Sequence, residues 1–404
     1  MESLRELFRI GNGPSSSHTM GPKFATLEFL KRCEGKNVDF IEVYLYSSLA
    51  LTGKGHLTDK VIDDTLKDVK HEIIFDPLHI VKHPNTMMFK GYKNGKYIVG
   101  MKALSVGGGK IVVDKKTEKK EPYKQKNFDE IRKFCNNKNM RLSEYVDHFE
   151  PDVEPYLAEV KDAMLEAVKR GLKSSGIIPG DLKLEKKASH MININVGKEE
   201  AKKVMSYAYA VSEENASGGI IVTAPTCGAC GVLPAILRYA KDLGYSDKDL
   251  VRGLKVAGLI GNLLKTNASI SGAVAGCQAE VGSACSMAAA FVAELKNESI
   301  DVIEKSAEIA LEHHLGLTCD PVGGYVQIPC IERNAAAAMR AIDAYYLAKL
   351  QENTDQRVSF DLICITMLTT GKDLLSSYRE TSKGGLAKYK KRLKKSRGNS
   401  LESK

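Results

Sequence analysis

Tryptophan is absent from the 404 residues, and aromatics as a whole reach only 7%. Without aromatics interleaved among basic residues, the chain lacks the stacking surface of an RNA-binding module. No run of about 18 uncharged apolar residues occurs, which argues against a membrane-spanning helix. The opening Met1-Glu-Ser-Leu-Arg-Glu-Leu-Phe8 mixes acids with Arg and has no signal-peptide core. The expected location is therefore cytoplasmic, where cysteines stay reduced. Nine cysteines then speak for metal, redox chemistry or core packing rather than a disulfide framework.

What is there begins with charge. The formal net charge is +9, and a good part of the excess sits in the run Lys388-Tyr-Lys-Lys-Arg-Leu-Lys-Lys-Ser-Arg397. Like-charge blocks near chain ends are usually solvated. The expectation is accordingly no nucleic-acid partner and no membrane partner. A basic nucleic-acid module is the alternative, and it would show binding that weakens steeply with salt.

The chain changes character near residue 120. Before it, strand-like runs at 39–46, 71–75, 86–90, 96–99 and 110–113 alternate with helical patterns around 20–33 and 58–69. The stretch 114–126 is charged and nearly free of apolar residues, as in a linker or exposed loop. Beyond it apolar positions recur at three and four in 153–172, 250–264, 286–295, 302–315 and 336–350. The fold class expected is α+β. A small α/β-type domain (1–115) and a linker (116–126) lead to a larger all-α domain with a buried central helix pair and a basic C-terminal tail (127–404).

Four constellations could carry chemistry. In Gly11-Asn-Gly-Pro-Ser-Ser-Ser-His-Thr-Met-Gly-Pro22, hydroxyls crowd a histidine at the start of a helical pattern. Free N–H groups at a helix start suit a carboxylate or phosphate, and His18 could move a proton near neutral pH; a Ser-rich capping turn is the plain alternative. In Thr223-Ala-Pro-Thr-Cys-Gly-Ala-Cys-Gly231 the pair Cys227 and Cys230 lacks both the βαβ setting of a redox motif and the second Cys-x-x-Cys of a zinc ribbon. A pocket-lining loop fits it better. Between Thr266 and Cys285, Asn267, Ser269, Ser271, Gln278 and Glu280 stand among small apolar residues. Buried polar groups are costly unless paired, so they mark either a site or close helix packing. In the fourth, His313 to Asn334, Cys319 is expected where a helix stops and Cys330 where the next begins.

Thiolates select iron–sulfur clusters, zinc or copper(I). On a single helix Cys277 and Cys285 would stand about 12 Å apart, so one cysteine of that segment with Cys319 and Cys330 makes the easier set. Three thiolates on a four-iron cluster leave one iron open as a Lewis acid.

These motifs resemble the iron–sulfur-dependent L-serine dehydratases (L-serine ammonia-lyases) in their single-chain form. The resemblance rests on Gly13-Pro-Ser-Ser-Ser-His-Thr-Met-Gly-Pro22, Ser105-Val-Gly-Gly-Gly109, Glu214-Asn-Ala-Ser-Gly-Gly219, Thr223-Ala-Pro-Thr226, Asn267-Ala-Ser-Ile-Ser-Gly272, Gly276-Cys-Gln278, Leu317-Thr-Cys-Asp-Pro321, Ile328-Pro-Cys-Ile-Glu-Arg-Asn334 and Tyr378-Arg-Glu-Thr-Ser-Lys-Gly-Gly-Leu386. They run in family order over nearly the whole chain. It implies a 4Fe-4S cluster on Cys277, Cys319 and Cys330, and elimination of water from L-serine to give pyruvate and ammonia. It also implies a homodimer and a place in amino-acid degradation and gluconeogenesis. Ser16, Ser17, Thr19 and His18 are the expected catalytic groups, with His18 moving the proton. Ser15, Asn267, Ser269 and Arg333 are the expected substrate-binding groups. With His18 in the first domain and the cysteines in the second, the site should form at the domain interface.

Two departures stand out. Some members end in a cysteine that caps the open iron, whereas this sequence ends Gly398-Asn-Ser-Leu-Glu-Ser-Lys404. Cys227 stands where the family stretch has Asn. The rivals are the same chemistry on L-threonine or L-cysteine, a non-catalytic cluster sensor, and PLP chemistry. The last would need a Schiff-base Lys and a phosphate loop on a large α/β scaffold.

Overall fold

The computed structural model describes residues 1–114 and 121–393. Residues 115–120 of the expected linker, and the end of the basic run with all that follows it, lie outside the described residues. The chain divides into two compact units, Gly11–Lys119 and Met1–Ile10 with Lys120–Lys404. The first ten residues thus group with the helical unit rather than with the sheet.

The smaller unit holds helix α1 (Gly21–Cys33), strand β1 (Phe40–Tyr46), helix α2 (Thr58–Thr65), and strands β2 (Lys70–Asp76), β3 (Thr86–Lys93), β4 (Lys96–Gly107) and β5 (Lys110–Val113). The sheet order is β2-β1-β3-β4-β5, with β1 and β2 parallel and the other neighbours antiparallel. In β1 the alternation is strict: Ile41, Val43 and Leu45 are buried and the residues between them half-buried. They form a core with Ala25 and Phe29 of α1, Ile62 of α2, Phe89 of β3 and Met101 and Ala103 of β4. The fourth strand runs eight residues past its expected end. It stops only at Gly107–Gly109, where all three glycines hold positive φ, a backbone region that side chains disfavour. Ser105, near its end, meets the start of α1, where a Cβ on Gly21 would lie 2.2 Å from Ser105 Oγ.

The larger unit is helical apart from the three-residue strand Ile220–Val222. Its principal helices are α3 (Phe128–Lys138), α4 (Leu142–Phe149), α5 (Glu154–Lys173), α6 (Glu199–Ala216), α7 (Val232–Asp242), α8 (Asp247–Asn267), α9 (Val281–Leu295), α10 (Ile300–Glu312), α11 (Cys330–Leu350) and α12 (Phe360–Asp373). Several starts are written in the sequence as polar caps: Asn127, Ser246, Ser299 and Ser359 each accept from a backbone N–H of the first turn. The buried centre is the pair α8 and α9. Every residue of α9 but Val292 is buried. Its small side chains let α8, α10 and α11 close around it.

Three local expectations are corrected. Helix α10 ends at Glu312, so Cys319 lies well past the helix rather than at its stop, in extended backbone paired with Arg379. The segment from Thr266 to Cys285 is not one helix; α8 ends at Asn267, and two short turns precede α9. Residues 121–126 do not form a free tether. Tyr123 is buried, its hydroxyl donates to Glu150 Oε2 at 2.7 Å, and its carbonyl accepts from the Met1 amine at 2.5 Å. Among the described residues no helix is long and apolar enough to cross a membrane.

Candidate active site

Two constellations stand out, one in each unit. In the smaller unit, residues Ser16–Met20 form a single wide turn that runs directly into α1. Ser15 caps it, its hydroxyl accepting from His18 N at 3.2 Å. Thr19 Oγ1 accepts from Ser15 N at 3.2 Å and donates to His56 O at 2.6 Å. His18 is held at both ring nitrogens, Nδ1 to Ser17 Oγ at 2.9 Å and Nε2 to Ser48 Oγ at 3.0 Å. Its carbonyl accepts from Thr58 Oγ1.

The His18 ring lies 4.8 Å from that of His56, centroid to centroid. Burial, with His56 beside it, pushes His18 down to about 3, and burial also lowers His56. Burial thus favours the neutral form of both imidazoles. Sequence reasoning missed Ser48 and His56. The signal available was a second Ser pair followed by Gly53-Lys-Gly-His56, but nothing in the sequence ties that segment to a loop some thirty residues earlier.

The larger unit holds the three cysteines expected to bind a cluster. Cys277 sits in a short turn ahead of α9, Cys319 in extended backbone, and Cys330 at the first position of α11. All nine cysteines are free; Cys277 and Cys319 are buried and Cys330 is half-buried. The three belong to one electrostatic neighbourhood: Cys319 interacts with both of the others, and Cys330 with Cys277. Burial pushes the Cys277 thiol up to about 11 and lifts Cys319 and Cys330 well above their ordinary value. Placement at a helix start is thus not enough to favour thiolate at Cys330. Desolvation outweighs the helix dipole until a cation arrives.

Two carboxylates stand with these thiols. Cys319 Sγ donates to Glu280 Oε2 at 3.7 Å. Burial raises the Glu280 carboxyl; Thr226, Cys319 and Arg333 oppose that rise. Glu380 takes up the left-handed backbone region at φ 57°, with the Ala273 backbone favouring its charged form. Desolvation and the nearby Glu280 charge push it up to about 8. Sequence reasoning noted Glu280 only as a polar residue in a small-residue segment, and Glu380 only as part of a motif.

Arg333 is engaged away from open solvent, with Nη1 donating to Thr318 O at 2.6 Å and Nη2 to Asp320 Oδ1 at 3.2 Å. Asn267 gives an amide N–H to Lys126 O at 2.7 Å, and Ser269 Oγ accepts from Ser271 N at 3.1 Å. The loop with Cys227 and Cys230 is pinned to α11 by Asn334, which accepts from Gly231 N at 2.9 Å and donates to Gly228 O and Cys330 O at 2.8 Å. Both of these thiols are buried and lifted by burial, the reverse of an activated redox pair. Cys285, inside α9, donates to Ala337 O at 3.2 Å.

Among the described residues no group of three His, Cys, Asp or Glu side chains could hold a single metal ion. Three free thiols from three segments, with an Arg beside them, are the soft donor set that a cluster takes. The donor set fits an iron–sulfur cluster.

Comparison with known proteins gives two family matches. Residues 3–72 match the serine dehydratase beta chain and residues 85–387 the serine dehydratase alpha chain. L-serine dehydratase 1 of Escherichia coli K12 is 39% identical, over 96% of this chain and 99% of that protein. The L-serine dehydratase of Haemophilus influenzae is also 39% identical, over the same shares. That of Helicobacter pylori J99 is 37% identical, over 96% of this chain and 98% of its own length.

Proposed function

We propose that this chain, which belongs to the serine dehydratase family with the beta-chain and alpha-chain regions in one polypeptide, acts through an iron–sulfur cluster on Cys277, Cys319 and Cys330. The chain is an L-serine ammonia-lyase. It removes water from L-serine, and the resulting aminoacrylate tautomerises and hydrolyses to pyruvate and ammonia. The observation that carries the cluster reading is the convergence of three free thiols from sequence positions 42 and 11 residues apart.

When bound, the cluster supplies an open iron that polarises the leaving hydroxyl as a Lewis acid. The remaining work falls to side chains. Ser15, Ser16 and Ser17 offer hydroxyls and turn N–H groups to the substrate carboxylate, and Thr19, whose hydroxyl donates to His56 O, holds the turn in place. His18, tied at both nitrogens to serine hydroxyls and paired with His56, is the group assigned to proton transfer; burial disfavours its charged form, so it passes the α-proton on rather than keeping it. In the larger unit, Asn267 and Ser269 are the polar side chains assigned to substrate binding.

Nine free cysteines support a reducing, cytoplasmic setting, and the assembly proposed is a homodimer, readable by light scattering. The test of function uses protein purified without oxygen. Its visible spectrum, iron content and pyruvate formation from L-serine are recorded before and after air. Brown, iron-loaded protein that loses colour and activity together in air is the expected result. Full activity in colourless, iron-free protein would overturn the cluster reading.

A further inference from the structure

The three cysteine segments are separate in sequence, so something must hold them in register. One side chain bears on all three. Arg333 lies three residues after Cys330, one turn along the same helix. Its Nη1 donates to Thr318 O at 2.6 Å and its Nη2 to Asp320 Oδ1 at 3.2 Å. These acceptors belong to the residues immediately before and after Cys319. The guanidinium also lies in the electrostatic neighbourhood of the Cys277 thiol.

Asp320 extends the network. Its side chain is 4% exposed and that of Arg333 19%, so the pair is desolvated and intolerant of losing one partner. Asp320 Oδ1 also accepts from Thr318 Oγ1 at 3.1 Å, and Oδ2 accepts from Leu386 N at 2.7 Å. The strap that ends at Leu386 closes on Cys319 itself: Cys319 N donates to Tyr378 O, and Glu380 N donates to Cys319 O, both at 2.8 Å.

We propose that Arg333, with Asp320, is the positioning residue that sets the three cysteine segments in register for the cluster, in place of the substrate-binding role its motif suggests. The inference rests on the cluster reading above. A guanidinium is a planar fork with five donors, and here that fork spans a carbonyl and a carboxylate on either side of Cys319, with the Cys277 thiol in its electrostatic neighbourhood. A lysine keeps the charge but not the fork.

Arg333→Lys and Asp320→Asn are purified without oxygen and loaded with ferrous iron and sulfide beside the unaltered protein. The readouts are iron per chain, the visible spectrum, the rate of iron loss to a chelator, and KM for L-serine in the loaded fraction. Both variants should retain iron about 10-fold or more less well, the scale seen when groups supporting metal ligands are removed. The KM of the loaded fraction should stay close to that of the unaltered protein. Normal iron retention with a KM raised about 10-fold or more would overturn the proposal and make Arg333 a carboxylate ligand. If Arg333→Lys fails to fold, Asp320→Asn decides alone, and normal iron retention in it overturns the proposal. Failure of the unaltered protein to take up iron and sulfide is distinct from both results; it would overturn the cluster reading and this inference with it.

Discussion

A thiol buried as deeply as Cys319 holds its proton in the metal-free protein, and iron must displace that proton to bind. Cys319→Ser replaces a soft donor by a hydroxyl that ionises far less readily. The variant should lose iron, brown colour and pyruvate formation together, measured on anaerobically loaded protein. His18→Ala should separate these properties: iron and spectrum stay, while kcat falls about 10²–10⁴-fold, the usual share of a positioned proton-transfer group.

His18 also leaves a mark on stability. Its folded value of about 3 lies below the ordinary value of 6.5, so the unfolded chain binds the extra proton first. Stability is therefore fully present above about pH 6.5 and is lost progressively as pH falls towards 3. Melting curves from pH 7 to 4 should fall less steeply for His18→Asn than for the unaltered protein.

The Ser-Ser-Ser-His-Thr loop was legible because its residue types are unusual together. The reach of Arg333 was not, since a guanidinium in a motif next to a ligand reads equally as a substrate anchor or as a strut. The structure adds that its guanidinium donates to Thr318 O and Asp320, which is the basis of the strut reading proposed above.

Helices show the same division between pattern and detail. Apolar spacing located α5, α8, α9, α10 and α11, because a helix buried on one face repeats at 3.6 residues. It carried α10 too far, to Leu315, because Leu315 keeps the apolar spacing from Leu311 after the helix has given way to single turns and just before Gly316 takes φ 80°. Spacing is equally blind to how closely two helices cross. A Cβ on Gly171 of α5 would lie 2.1 Å from Ala210 O of α6, and a backbone oxygen cannot rotate away. Gly171→Ala should cost about 1–3 kcal/mol, the range for overpacked cores, read as a lower midpoint in urea with iron content per folded chain unchanged.

Helix α10 carries a second prediction. Glu308 is buried, and its Oε1 lacks a hydrogen-bond partner among the described residues. Burial first, then Glu312 and Glu304, push it up to about 7 against a slight pull from Lys305. The folded protein therefore holds a proton that the unfolded chain gives up, so stability falls as pH rises from about 4.5 through 7. Glu308→Gln should remove that slope and stabilise the protein at pH 8 by about 1–3 kcal/mol. A stability–pH curve unchanged by the substitution would contradict it.

At the scale of the whole molecule, the boundary between the two family matches does not coincide with the boundary between the compact units. The beta-chain match ends at residue 72, inside β2, and the alpha-chain match begins at residue 85, just before β3. The five-stranded sheet is therefore shared between them. Strand β1 lies in the first match and pairs with β3 in the second from Phe40↔Tyr92 to Leu45↔Met87. The core beneath mixes Ile41, Val43 and Leu45 with Met87, Phe89 and Met101.

The charged stretch near residue 120 led to the expectation of two domains, but no property of the sequence reveals that strands on either side of the loop after β2 share one sheet. That loop buries little, with Leu78 89% and Ile80 96% exposed, so a break after Ile80 removes almost no packing. Neither piece can bury the sheet core alone. Coexpressed fragments 1–80 and 81–404, tagged on one piece only, should therefore copurify and retain iron and L-serine dehydratase activity. Fragment 1–80 by itself should show no cooperative melt, because β1 would lose β3 and half of its core. A sharp melting transition in that fragment alone would show that the two matched regions fold independently, against the shared sheet.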